Sequence, residues 1–470
     1  MKTSVKHLSV AMSLALASAG FSAHVNASGF ALIENSASGM GNAFAGGSAI
    51  ADDASTVYFN PAGMTQLGGT QIVIAGHIVS PSAEFTDTGS TTFLGSPLTG
   101  SNDTTDETAF VPNFYYVTDI GKDSQFGLGI TVPFGLATEY GDDWVGRYTA
   151  TKSEVETVNI NPSLSTKATD KLSVGFGLNI QYIKATLANQ LDSGAICTNL
   201  QLLGNPAPTP AEVGTAATNC AGAGLAVADA SVDSSQSLSG DDWSTGFNFG
   251  LLYELDDASR LGFAYRSGIK HSLEGDVDFT MDPTLAAMIS GLPSPSLTTL
   301  FMDTGVTAGI ELPKTISVSY YRDVNKEIAV MADITWTEWN NFSDLTVIFD
   351  NPVQGSTNIP ENWNNTMRYS VGMNYRPNNI MVYRVGLAYD ETPVPSAEER
   401  TPRIPGNDRT WLSLGLGYEV SSTMSFDVGY SHLFVDDTEI HNTDATFSHV
   451  LNGTYEADIN IISVQGNFKF

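Results

Sequence analysis

The chain has 470 residues, with 21 basic and 51 acidic side chains and a formal charge of −30. So negative a balance argues against a nucleic-acid partner, whose phosphates it would repel. Charged residues make up only 15%, against about 25% in ordinary globular chains. Glycine (44 residues) and aromatics (10%) are plentiful, and a mean hydropathy near zero excludes a helical membrane protein.

Lys2 and Lys6 precede an apolar run from Leu8 to Gly20, and Val25-Asn26-Ala27 sets small residues at −3 and −1 of a cleavage site. Residues 1–27 therefore read as a secretory signal peptide, too short in its apolar part to span a bilayer. Residues 28–68 are small and Gly/Ala-rich and show no strand alternation. From residue 69 to 470 the pattern changes to period two. Trp243, Thr245, Phe247, Phe249, Leu251, Tyr253 and Leu255 share one face, opposite Ser244, Gly246, Asn248, Gly250, Leu252 and Glu254. Met381 to Asp390 and Met424 to Phe434 repeat this alternation of bulky apolar with small or polar residues.

Fourteen such segments start near Gly69, Thr108, Ser124, Glu154, Leu172, Trp243, Arg260, Leu312, Glu327, Asn365, Ile380, Arg409, Thr423 and Tyr455. Short connections at 119–123, 169–171, 256–259, 323–326, 376–379 and 421–422 alternate with long ones at 80–106, 141–153, 188–242, 280–310, 350–364, 391–408 and 436–453. Segments of about ten residues, even in number, with short turns at one end and long loops at the other, predict an all-β membrane fold: a 14-stranded antiparallel transmembrane β-barrel. The last strand ends in Phe470, with Phe468, Gly466, Val464 and Ile462 on the same face, and resembles the signal read by the barrel assembly machinery. Fourteen strands enclose more space than wall side chains can fill, so residues 28–68 are expected to form a plug, a small N-terminal hatch.

Cys197 and Cys220 lie close together in the longest loop, and in an exported chain they are expected to form a disulfide. With no His beside them, a metal site is not expected, nor is any cofactor. No G-x-S-x-G elbow or phosphate-binding G-x-x-x-x-G-K-[ST] loop occurs, so an enzyme or a nucleotide-driven pump is not expected. A general porin predicts charged lumen rings and no plug, against the few mid-strand charges here.

Ser28-Gly29-Phe30, Ser38-Gly39-Met40-Gly41-Asn42-Ala43, Ala49-Ile50-Ala51-Asp52-Asp53-Ala54 and Asn60-Pro61-Ala62 resemble the N-terminal hatch of the FadL family of outer-membrane long-chain fatty acid transporters. Phe134 to Glu139, Leu251 to Asp256, Tyr265-Arg266-Ser267, Pro393-Val394-Pro395, Ile404-Pro405 and Asp408-Arg409 extend the resemblance over nearly the whole chain in order. It implies a barrel in the outer membrane of a Gram-negative cell, plugged by three short helices. A hydrophobic ligand would be captured at outer loops, pass a hatch-gated inner pocket, and leave sideways through a gap in the wall near the third strand. Transport would be passive. The expected cargo is a long-chain fatty acid, or alternatively an aromatic or aliphatic hydrocarbon. The other expected partners are outer-membrane lipid and lipopolysaccharide, and the barrel is expected to be a monomer.

The resemblance places Phe30, Leu32 and Ile33 in a mobile N-terminal arm that touches ligand, and Asn60, Pro61 and Ala62 at the gate; Asn-Pro also commonly opens a turn. Pro133 lacks the N–H that a ladder needs, and Gly135 and Ala137 follow within the same strand, which fits an opening or a bulge. Trp144, with Phe93, Leu94, Leu200, Leu202, Leu203 and the helix-like Met281 to Leu292, is a candidate for the outer groove. Family members that carry fatty acids place bases in the inner pocket, where this chain has Asn189 and Thr346. Lys184 or Arg147 is the expected substitute.

Overall fold

The computed structural model describes residues 29–470, so the expected signal segment lies outside the described residues. One closed antiparallel sheet forms the wall. Its strands are β1 (Thr70–Asp87), β2 (Ala109–Asp119), β3 (Ser124–Thr131 and Gly135–Glu139), β4 (Lys152–Lys167), β5 (Leu172–Leu191), β6 (Ser234–Asp256) and β7 (Ser259–Arg266 and Ile269–Thr280). They continue as β8 (Thr304–Leu312 and Thr315–Asp323), β9 (Ile328–Thr337 and Asp344–Phe349), β10 (Ser356–Pro360 and Thr366–Tyr375), β11 (Met381–Asp390), β12 (Arg409–Ser421), β13 (Met424–Val435) and β14 (Val450–Lys469). β14 pairs with β1 from Gln71↔Lys469 to Asp87↔Gly453, which closes the ring of fourteen. None of the helices among the described residues is long and apolar enough to cross a membrane.

The alternation has the sense of a membrane barrel and not of a soluble sandwich. Phe176, Leu178, Trp243, Phe247 and Tyr253 are exposed, while Asn159, Asn161, Asn179, Gln181 and Asn248 are buried inside. An apolar belt facing outward is stable only against lipid. Several strands run further than their alternation predicts. β6 begins at Ser234 instead of Trp243, β8 at Thr304 instead of Leu312, and β14 at Val450 instead of Tyr455, while β1 continues to Asp87. The added stretches are poor in bulky/small alternation because they stand beyond the lipid. Backbone pairing carries them, as in Leu187↔Leu238 and Leu238↔Val277, together with an inner apolar cluster of Leu238, Val277, Val306 and Val347. The 23 residues of β6 extend roughly 75 Å at about 3.3 Å per residue, whereas a tilted crossing takes only about 9–11 residues.

The N-terminal segment folds inside the ring as α1 (Ala37–Met40), α2 (Gly47–Ile50), α3 (Thr56–Phe59) and a 3₁₀ turn, Pro61–Gln66. It touches strands all round the wall, from β1 and β13 through β4, β5 and β6 to β8. Wall glycines make that fit possible. A Cβ on Gly250 would lie 1.9 Å from Asn60 Oδ1, and one on Gly262 would lie 2.0 Å from the Ser48 carbonyl oxygen. Outside, the long loop carries α4 (Ser193–Gln201) and α5 (Pro210–Gly222), joined by the Cys197–Cys220 disulfide, and α6 (Pro283–Ser290) packs against them.

Candidate functional site

The site begins where β3 breaks. Thr131 pairs with Asn159 and Gly135 with Glu156, so three residues of β3 face two of β4. The extra residue is a bulge at Val132-Pro133-Phe134, where proline supplies no ladder N–H. Beyond it, Gly135 to Thr138 are all buried, because this half of β3 has swung into the lumen. β2 therefore pairs with β3 only from Asp119↔Gln125 to Phe114↔Ile130. Ala109 to Asn113 keep β1 as their partner, and no ladder joins them to β3. The wall has a gap there.

The N-terminal arm lies along the bent strand. Leu32 N–H donates to the Pro133 carbonyl at 2.8 Å, and Gly135 N–H donates to the Phe30 carbonyl at 2.9 Å. Phe30, 2% exposed, sits edge-on to Trp339 (centroids 4.9 Å apart), with Phe342 and Trp363 each at 5.9 Å and Phe134 at 6.0 Å.

The arm separates two cavities. The outer one holds about 810 Å³ of free space, mouth included, with a lining of Phe30, Leu136, Val155, Leu187, Leu273, Ile310, Leu345 and Ile404. Among the described residues its only charged lining groups are Glu361 and Arg403. The Arg403 guanidinium donates to Ser153 Oγ at 2.8 Å and to the carbonyls of Thr149 and Lys152. Glu361 Oε2 accepts from the Trp363 indole at 3.0 Å. Burial pushes the Glu361 carboxyl up to about 8, against the pull of the Trp363 N–H and the Arg403 charge. Burial pushes Arg403 down to about 10, with Glu361 opposing the change. At neutral pH this end of the cavity is thus a cation beside a protonated acid. The inner cavity, with about 1060 Å³ of free space including its mouth, lies on the hatch side and is lined by Leu32, Ile33, Phe59, Phe249, Arg266, Arg368 and, at the break, Pro133 and Phe134.

The structure brings together Phe30, Leu32, Ile33, Pro133 and Gly135, with Ala137 buried on the same bent strand. Asn60 ties the hatch to the wall. Its Nδ2 donates to the Ser48 and Leu251 carbonyls, and its Oδ1 caps the turn through the Ala62 N–H, with Pro61 opening that turn. The two bases expected to replace the family's lumen charges stand elsewhere. Lys184 is exposed on the outward face of β5, between Glu156 and Asp241, because Ile183 takes the inward position. Arg147 is fully buried in the outer loops, paired with Asp233 at 2.7 Å and donating to Tyr148 Oη and the Thr99 carbonyl. Trp144 packs against Tyr140 and Phe85 in a loop core separate from the Phe30 cluster. Asn189 is bonded to the Tyr148 and Gln190 carbonyls and to Gln236, and Thr346 to Asp344 and Asn358. Of the outer-groove candidates, Phe93, Leu200, Met281 and Leu292 pack round the disulfide, while Leu94 and Leu203 stay exposed. Arg403 and Glu361 escape sequence reasoning because they lie in loops without periodicity. The one signal near them is the Ile404-Pro405 pair that follows Arg403.

A family model described as "Outer membrane protein transport protein (OMPP1/FadL/TodX)" matches residues 18–470. The chain belongs to this family. A long-chain fatty acid transport protein of Escherichia coli O6:H1 (strain CFT073) is 32% identical, over 92% of each chain. Outer membrane protein P1 of Haemophilus influenzae (strain Rd) is 29% identical, over 95% of this chain and 96% of its own. Among solved structures, a Pseudomonas aeruginosa FadL homologue superposes with a TM-score of 0.82 at 26% identity, over 94% of this chain and 99% of that one. The Pseudomonas putida toluene transporter TodX, at 18% identity, a TM-score of 0.66 and the same coverage, shares the fold. The inside-out barrel and this membership place the FadL-family chain in the outer membrane.

Proposed function

We propose that this outer-membrane transporter of hydrophobic compounds carries long-chain fatty acids, held in the outer cavity with the carboxylate at Arg403 and Glu361. The observation that carries the reading is a single polar end on an otherwise apolar cavity, with Arg403 cationic and Glu361 protonated at neutral pH. A hydrocarbon has no group to meet such an end, and a buried cation left without an anion is costly. A sixteen-carbon tail gains roughly 12 kcal/mol on leaving water, at about 0.8 kcal/mol per methylene. A path that stays apolar is therefore favoured over an aqueous pore. No step is catalysed: the residues bind and orient cargo that moves down its gradient.

Capture begins at the outer loops, and the Phe30–Ile33 arm divides the route. Displacing it joins the two cavities and frees the Pro133 and Gly135 backbone groups beside the wall gap, through which cargo leaves sideways into the membrane. The relative named for long-chain fatty acid transport supports this reading. The aromatic surroundings of Phe30, with Trp339, Phe342 and Trp363, favour a second reading in which aromatic hydrocarbons use the same route. Uptake of labelled oleate and toluene in a strain lacking the gene separates the two. Loss of oleate uptake, restored by the wild-type chain, is expected. Oleate uptake untouched by the deletion overturns the fatty-acid reading and leaves the hydrocarbon one.

A further inference from the structure

Arg368, on the inward face of β10, is 6% exposed. One Nη2 hydrogen bond, 2.9 Å to the Ala43 carbonyl, ties it to the hatch, and its guanidinium carbon lies 5.0 Å from the centre of the Trp411 ring. Nε and Nη1 have no hydrogen-bond partner among the described residues. Buried charged donors are rarely left idle, since each unmade bond costs desolvation that nothing returns. The group lines the inner cavity, together with the apolar Leu32, Ile33, Phe134 and Phe249, the acids Asp333 and Asp390, and Pro133 at the wall gap.

Three acids stand near Arg368, and none of them bonds to Nε or Nη1. Asp333 accepts from the hydroxyls of Ser317, Ser319 and Thr335. Asp390 stands across the ladder from both Arg368 and Arg409, and its charge acts on both. The remaining carboxylate, Glu34, follows the arm, where Asn113 Nδ2 donates to its backbone carbonyl. Both its carboxylate oxygens are buried without a partner, and Arg368 and Arg409 supply the nearest positive charge.

We propose that Arg368 is a second carboxylate-binding station for the same cargo, on the hatch side of the arm and beside the wall gap. The proposal rests on the fatty-acid reading. The acid's head passes from Arg403 to the idle Nε and Nη1 donors of Arg368, while its tail lies along the apolar wall toward Pro133. Arg368 then serves for recognition in transit, and Arg403 for retention.

The test uses the full chain in lipid nanodiscs and equilibrium dialysis with laurate, and with 1-dodecanol as the neutral probe. Wild type is expected to bind two laurate equivalents. Arg403→Gln should remove one. Arg368→Gln should weaken the other about tenfold or more, the scale of a hydrogen bond to a charged group, and leave dodecanol unchanged, while Arg368→Lys regains part of the loss. Two unchanged laurate equivalents in Arg368→Gln overturn the proposal, as does equal weakening of laurate and dodecanol, which marks a structural role. Wild type that binds no laurate at all removes the fatty-acid reading itself, a result distinct from either. Should Arg368→Gln fail to fold, wild-type crystals saturated with laurate decide. A carboxylate within hydrogen-bond distance of Nε or Nη1 is expected, and its absence overturns the proposal.

Discussion

The lumen holds two kinds of contact, and the difference between them explains how a plugged barrel can still conduct. The hatch meets the wall through directed polar bonds. Gln465 accepts from the Ala37 N–H and donates to Asp53, Asn42 donates to Asn374 Oδ1, and Ser319 Oγ accepts from the Ser48 N–H. The arm meets the wall through two backbone hydrogen bonds and otherwise through apolar rings. Directed bonds fix one pose, because any shift leaves buried groups unpaired. Apolar contact is non-directional and scales with area, so a greasy ligand can replace it at little net change. The hatch is therefore held firmly and the arm loosely, as the proposed route past the arm requires.

The firm half breaks most completely at the wall glycines. In Gly262→Val the new Cβ falls 2.0 Å from the Ser48 carbonyl oxygen. The hatch then cannot seat, and large steady ion currents are expected in planar bilayers where wild type is silent. A silent mutant barrel removes the claim that this contact makes the seal. The second effect concerns the gap. Three residues oppose two at the bulge, so deleting Pro133 restores register and lets β3 run straight beside β2. Oleate uptake should drop to that of the null strain, with the folded barrel retained by its heat-modified gel mobility. Undiminished uptake closes the lateral route.

The loose half breaks more gently. Phe30→Ala removes a buried ring whose loss typically costs about 3–5 kcal/mol, here charged to the arm and not to the barrel. Hydrogen exchange should speed at the amides of Leu32 and Gly135, which make the two arm bonds, while the strand amides of β12 and β13 stay protected. Protection unchanged at Leu32 would mean that the arm is held by something other than the ring cluster.

How much of this was legible in the sequence follows from the same division. Strand number, turn alternation and the break at Pro133 could be read because a lipid-facing wall imposes period two and punishes a proline inside it. The disulfide was legible from composition and spacing. The upper parts of β6 and β14 were not, since outside the lipid no outward apolar belt imposes the alternation. The charged end of the outer cavity was hidden for a different reason. Arg403 and Glu361 lie in two loops 42 residues apart, and only tertiary folding brings both to the lining of one cavity. Lys184 was misjudged by one step of alternation: Ile183 takes the lumen and Lys184 the outside.

The smallest effect is a change of slope with pH, and it tests whether that charged end meets the ligand head. Glu361 is raised to about 8 by burial and so is protonated at pH 7, where it can donate to a carboxylate beside Arg403. As pH rises through 8 the acid ionises and repels the bound anion, while Arg403, lowered only to about 10, keeps its charge. Laurate affinity in wild type should accordingly fall above pH 8, approaching about tenfold per unit for one linked proton. Glu361→Gln keeps an N–H donor but has no proton to lose, so its affinity should stay level from pH 7 to 9. Dodecanol should show no pH dependence in either chain. A level wild-type profile for laurate means that the carboxylate sits away from Glu361, and Arg403 then serves the loops that close the cavity instead of the cargo within it.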